Sequence, residues 1–256
     1  MDFKAAVTEL AGKEIAGQQK KESAQPLTEQ IFTFAGLSLI RDTRRAIAYL
    51  HKTRGIDYSI IQKLIKEKHI YQEKETNNIV FPMYDENNKC VGAELQGTLS
   101  RRRYKGVASR SKYGYGFNVR YPGSGGSFDY ALFFESAVDL LSFVDLKINF
   151  QHRSLESCIL VSMSGLKENI VNHTLTAYRG NFKPIQPVLC VDSDKAGQDF
   201  VTRLKSQIRG VRTLQTICKD WNDQLLNTPS TKERQEHEND KANGGRAGCQ
   251  QDRDPQ

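Results

Sequence analysis

The chain has 256 residues, 38% hydrophobic and 26% charged, with 37 Lys and Arg against 30 Asp and Glu for a formal net charge of +7. That length can bury one or two cores, no run nears the ~18–20 apolar residues of a membrane helix, and the start Met1-Asp2-Phe3-Lys4-Ala5 is no secretory signal. Membrane-spanning, collagen-like and wholly disordered chains are excluded. The five cysteines, odd in number and without Cys-x-x-Cys or other metal-ligand spacing, point to a reducing cytosol rather than a disulfide framework or a zinc site.

Residues 3–15 pattern as a helix, with Phe3, Val7, Leu10 and Ile15 on one side, and 16–28 read as a polar linker closed by Pro26. A helix over 43–52 stops at Arg54-Gly55. Asp57 is placed to cap a second helix over 58–69, whose Ile60, Ile61, Leu64 and Ile65 form an apolar stripe for packing. Strands follow at 78–84 and 91–95 around a turn at 85–89.

Beyond Tyr130, apolar runs at 130–134, 158–162, 188–191 and 211–217 read as strands, with helices between them at 136–146, 167–179 and 196–208. Such alternation implies a parallel sheet with helices on its faces. From 228 onward the chain is polar and lacks aromatic residues, so a disordered tail over 228–256 is expected. The predicted fold class is α/β: a parallel-sheet domain over 128–227, preceded by a small mixed α+β basic subdomain over 29–127.

Charge is unevenly spread. The net is +1 over 1–94, +7 over 95–128, zero over 129–227 and −1 over 228–256. The acid-free window holds Arg101, Arg102, Arg103, Lys105, Arg110, Lys112 and Arg120, interleaved with Tyr104, Tyr113, Tyr115, Phe117 and Tyr121. Cations that neutralise phosphates beside rings that stack on bases are the composition of a single-strand groove. A flexible basic loop between domains would have the same composition.

In a parallel α/β sheet, ligand chemistry gathers at the carboxyl ends of the strands. Glu135 falls at one such end, and Asp192 and Asp194 follow another. Two carboxylates one residue apart can aim oxygens at a single hard cation. Asp139 lies one helical turn beyond Glu135, and Asp220 and Asp223 follow the last strand. Acids after strands also serve as helix caps and turn formers, the ordinary alternative for any one of them.

The runs Glu135-Ser136-Ala137-Val138-Asp139 and Val191-Asp192-Ser193-Asp194-Lys195-Ala196-Gly197 resemble the two motifs of the Toprim domain, shared by DnaG-type primases, topoisomerases and some nucleases. Upstream, Ile79-Val80-Phe81-Pro82-Met83-Tyr84-Asp85, Val91-Gly92-Ala93 and Tyr113-Gly114-Tyr115-Gly116-Phe117 follow the order of the subdomain before Toprim in those primases. The chain is similar over roughly 40–227 to the Toprim-like primase-related proteins of plasmids and conjugative elements, in which a domain of unknown function precedes Toprim.

The resemblance implies Glu135 as general acid/base, and Mg2+ or Mn2+ held by Asp192 and Asp194 with Asp139, Asp220 and Asp223 completing the cluster. It implies a template strand tracked by Arg101, Arg102, Arg103, Tyr104, Lys105, Arg110, Lys112, Tyr113 and Tyr115. Primase-like RNA synthesis on single-stranded DNA from nucleoside triphosphates follows, in a bacterial cytoplasm and with a helicase or relaxase as partner. A nuclease or a non-catalytic single-strand-binding module is the alternative. Position 136 is Ser where many Toprim domains have Gly. Primases of this kind begin with a zinc ribbon; no ribbon pattern stands in this sequence, and residues 1–15 resemble only the helix that ends one, so a shortened form is expected.

Overall fold

In the computed structural model, which describes residues 32–99, 104–179 and 184–229, two five-stranded sheets lie in one compact unit. The expected N-terminal helix and linker fall outside the described residues, as does the tail from 230 onward.

The first sheet is antiparallel throughout, in the order β1 (Leu39–Ile40), β2 (Tyr71–Glu73), β3 (Ile79–Tyr84), β4 (Cys90–Gln96), β5 (Lys105–Val107). β3 and β4 form the hairpin expected from the sequence. Its turn is held by Asp85, whose Oδ1 accepts from the Asn87 and Lys89 amides at 3.0 and 2.8 Å. The apolar run of β3 is buried on both sides: Val80 packs with Ala93, Leu95 and Phe32, while Ile79 and Phe81 join the main core.

Two helices precede this hairpin. α1 (Arg44–Ala48) continues through a wider turn to Thr53 and stops at Gly55, whose φ of +70° suits a residue without Cβ. α2 (Tyr58–Lys66) is capped by Asp57, which accepts from the Ser59 amide at 2.9 Å, and it buries Ile60, Ile61 and Leu64.

The second sheet runs β10 (Arg212–Thr213), β9 (Gln186–Leu189), β7 (Tyr130–Phe134), β8 (Cys158–Ser162), β6 (Asn118–Tyr121). β7, β8, β9 and β10 are parallel and β6 is antiparallel to β8. β7 shows the two-residue alternation of a strand covered on both faces. Leu132 and Phe134 face the main core with α3 (Ala137–Asp145) and α6 (Trp221–Asn227). Ala131 and Phe133 face a second core with α4 (Glu168–Ala177) and α5 (Lys195–Gln207). All nine residues of α3 are buried, because the main core wraps it with α1, α2 and α6.

Two expectations need correction. β9 ends at Leu189, two residues before the predicted end, so Asp192 sits on a loop three residues past the strand rather than directly after it. The predicted strand over 211–217 reduces to Arg212–Thr213. After the Leu214 amide bonds to the Leu189 carbonyl, the chain turns away and leaves Ile217 94% exposed. β6, from the basic window, adds an antiparallel edge to the parallel strands by pairing with β8. Among the described residues no helix is long and apolar enough to cross a membrane.

Candidate active site

Four loops meet at the carboxyl edge of the second sheet. β7 turns through Glu135 and Ser136 into α3. Ser136 caps that helix: its Oγ accepts from the Asp139 amide at 3.3 Å and donates to the Asp139 carboxylate, holding Asp139 only 6% exposed. From the loop after β9, the Asp192 amide donates to Glu135 Oε1 at 3.0 Å, tying the two strand-end acids directly. The Gly165 amide, after β8, donates to the Glu135 carbonyl at 2.7 Å. Ser193 latches onto the fourth loop, its amide and Oγ donating to the Lys219 and Cys218 carbonyls at 3.0 Å each.

Capping and clustering prove compatible here. Asp194 Oδ1 accepts from the Gly197 amide at 3.0 Å and so caps α5, and Asp220 Oδ1 accepts from the Asp223 amide at 2.7 Å and caps α6. A monodentate cap occupies one oxygen and leaves the other for a ligand. Gly197 is required in the second motif, because a Cβ there would run into the Asp192 carbonyl oxygen. Asp223 joins this edge through its backbone amide, the donor to Asp220 Oδ1.

The acids raise one another's affinity for protons. The Asp192 carboxyl is pushed up to about 7, first by burial and then by Asp139, Glu135, Asp220 and Asp194. Asp139 is pushed up to about 6, chiefly by burial with a contribution from Asp220 and against the Ser136 hydroxyl. Burial also raises Glu135, opposed by the Asp192 amide and aided by Asp139 and Asp194.

Asp192 Oδ1 is buried without a hydrogen-bond partner. An orphaned carboxylate oxygen among mutually repelling acids, all of them hard oxygen donors, fits a divalent cation such as Mg2+ or Mn2+. Among the described residues no three His, Cys, Asp or Glu side chains form a group that could hold a metal by themselves. Mg2+ ordinarily takes one or two carboxylates and completes its shell with water and substrate phosphates. Asp192 and Asp194, with Glu135 beside them, would supply that share.

Facing Glu135 is a cleft of about 500 Å3 between Glu94, Lys105, Glu135, Ser164, Gly165 and Lys167. Lys105, from β5, draws Glu94, Glu135 and Asp139 toward their charged forms. Glu94, on β4, was not singled out by the sequence reading. It is 3% exposed, and its carboxylate accepts from the Ala137 amide at 3.0 Å and from the Ser162 and Ser164 hydroxyls at 2.5 and 2.9 Å. Burial raises its affinity for a proton, against those three donors. The signal available was a lone acid in the otherwise apolar run Val91-Gly92-Ala93-Glu94-Leu95.

The basic window divides. Arg101, Arg102 and Arg103 lie outside the described residues. Lys105, Arg110 and Lys112 are exposed, Tyr104 is 43% exposed, and Tyr113 is 82% exposed. Tyr115 is already engaged, its ring 4.2 Å from that of His173 and 5.3 Å from the Lys112 ammonium. Phe117 is fully buried. Arg120 is committed to the fold, donating to the Asn118 side chain at 2.9 Å and to the Tyr84 carbonyl at 3.1 Å.

Family models match two stretches: residues 48–122 match a protein of unknown function, DUF3991, and residues 132–225 match the Toprim-like family. A plasmid-encoded uncharacterized protein of Bacillus anthracis is 35% identical over 168 residues, which is 62% of this chain and 46% of that protein; the chain thus spans less than half the length of this relative. Among solved structures, the primase fragment of the bacteriophage T7 primase-helicase protein matches with a TM-score of 0.51 at 17% identity, over 89% of this chain and 84% of that one. A chain from the complex of the T7 lagging-strand DNA polymerase with primase domains bound to an RNA/DNA hybrid and dTTP also matches. Its TM-score is 0.51 at 18% identity, over 80% of this chain and 94% of that one. Both are likenesses of fold. Residues 132–225 are therefore a Toprim-like domain, and residues 48–122, ahead of it in the same chain, a domain of the DUF3991 family.

Proposed function

We propose that the protein is a primase-like nucleotidyltransferase, extending an RNA primer on single-stranded DNA during replication or transfer of a plasmid or other mobile element. The observation that carries this reading is the Asp192 amide bonded to Glu135 Oε1 at 3.0 Å, with Asp192 Oδ1 left buried and unpartnered beside it. The likeness of fold to T7 primase and the plasmid-encoded relative support it. Asp192 and Asp194 would hold a divalent cation, which would supply neutralisation of the triphosphate charge. Glu135, whose affinity for a proton is raised by burial and by the neighbouring acids, is suited to exchange a proton with the attacking 3′-hydroxyl. Lys105 supplies positive charge across the cleft, and Tyr113 with the exposed cations of the window tracks the template. A helicase or relaxase partner and a bacterial cytoplasmic setting belong to the same proposal.

The test is incubation with labelled nucleoside triphosphates, Mg2+ and single-stranded DNA. Short oligoribonucleotides are expected from the wild type and none above background from Asp192→Ala. Equal product from both overturns the catalytic reading, and shortened DNA in place of new oligonucleotides turns it into a nuclease. A non-catalytic single-strand-binding module is the second reading, favoured by the exposed ring of Tyr113 among the exposed cations Lys105, Arg110 and Lys112. It expects salt-sensitive binding that survives Asp192→Ala and is lost when Arg101, Arg102 and Arg103 all become Ala.

A further inference from the structure

The cleft beside Glu135 holds a cation that none of the motifs includes. Lys167 lines it from the N-cap of α4, together with Lys105 from β5. Neither ammonium is engaged in an ion pair or hydrogen bond with another described residue. The nearby acids do not satisfy them: Glu94 spends its carboxylate on the Ala137 amide and the Ser162 and Ser164 hydroxyls, and Glu135 Oε1 is taken by the Asp192 amide. Lys167 also stands at the N-cap of the ten-residue α4, where it makes no capping bond, so the positive end of that helix adds to the same field. Two unpaired ammonium groups lining one cleft of about 500 Å3 make a receptor for a compact polyanion.

We infer that Lys167, with Lys105, binds the terminal phosphates of the incoming nucleoside triphosphate, making Lys167 a substrate-binding residue contributed by the Toprim-like domain. The identity of the ligand as a nucleotide rests on the primase-like reading; the polyphosphate site itself does not. Phosphate could also arrive as the backbone of a DNA strand. Both lysines line one cleft of about 500 Å3, a volume matched to a compact triphosphate rather than to an extended strand.

The experiment is calorimetric titration of the purified chain, in EDTA, with inorganic tripolyphosphate and separately with an oligo-dT strand. The variants are Lys167→Gln, Lys167→Arg and Lys205→Gln, the last removing an exposed charge from the far end of α5. Wild type is expected to bind tripolyphosphate without metal, Lys167→Gln about tenfold more weakly. Lys167→Arg should restore most of the affinity, Lys205→Gln should match wild type, and oligo-dT affinity should move less than about twofold with Lys167→Gln. Absence of tripolyphosphate binding by wild type overturns the site, as does equal binding by Lys167→Gln and Lys205→Gln. A loss confined to oligo-dT reassigns the lysine to the template strand. No catalysis is read here. A protein that makes no primer yet loses tripolyphosphate on Lys167→Gln sinks only the catalytic reading, whereas primer synthesis with unchanged tripolyphosphate binding sinks only the site.

Discussion

At the carboxyl edge of the second sheet, acids are held by donors of the protein itself: Asp194 and Asp220 accept backbone amides as helix caps, Glu135 accepts the Asp192 amide, and the Ser136 hydroxyl pins Asp139. On the first sheet and the loop after it, Lys105, Arg110 and Lys112 stand in solvent. Acids crowded into a partly buried edge need fixed donors to remain there at all, because burial and mutual repulsion both oppose their charge. Exposed cations carry no such penalty and can wait for phosphate. Glu94 crosses this division: it is an acid of the first sheet whose three donors stand on β8, on the loop after it and at the start of α3.

Removing that crossing should give the largest stability change. Glu94→Ala leaves the Ala137 amide and two hydroxyls without their acceptor in a closed site and is expected to cost about 3 kcal/mol. For a domain of this size that corresponds to about 9 °C in Tm. Glu94→Gln preserves the shape and resembles the protonated acid that burial favours, so it should cost about 1 kcal/mol. Urea unfolding of both variants measures the difference. Near-zero effects from both would mean that the two sheets are not joined through Glu94.

The acid edge itself should respond to pH and to metal. Asp192 and Asp139 titrate in the fold near 7 and 6, above the ordinary aspartate value of 3.8. The folded chain therefore holds protons that the unfolded chain has released. That stabilisation is whole below about pH 4 and is lost as pH rises through 6 to 7. In EDTA, Tm should fall between pH 5.5 and pH 8, Mg2+ should recover more of it at pH 8 than at pH 5.5, and Asp192→Asn should flatten both responses. An unchanged pH slope in Asp192→Asn would remove Asp192 from the centre of the cluster.

The sequence exposes some parts of this molecule more readily than others, for physical reasons. β7, β8, α3, α4 and α5 have strong apolar periods and helix-start residues, and their predicted bounds agree with the fold to within two residues. β1, β2, β5 and β6 are two to four residues long and draw their stability from neighbouring strands, so no local pattern announces them. The strand-end acids stand out because a βα turn places them at the loop where ligands bind. Glu94 and Lys167 do not, since one hides in a strand and the other precedes an ordinary helix. Only the packing of the first sheet against the second brings them to one cleft.

The smallest expected effects lie in the two tyrosines of the basic window, which composition alone cannot tell apart. Tyr113 is 82% exposed, so Tyr113→Ala should leave Tm unchanged while weakening single-stranded DNA binding by about 1–2 kcal/mol, the worth of one base stacked on a ring. Tyr115 lies against His173 and under the Lys112 ammonium. Its face is spent within the fold, so Tyr115→Ala should lower stability by about 1 kcal/mol and change affinity less than Tyr113→Ala does. Fluorescence anisotropy with a labelled oligonucleotide, paired with thermal unfolding, reads both quantities on each variant. If Tyr115→Ala instead abolishes binding at unchanged Tm, its stack on His173 opens to admit a base. The division between packed and waiting groups would then fall one residue class short of where the hydrogen bonds draw it.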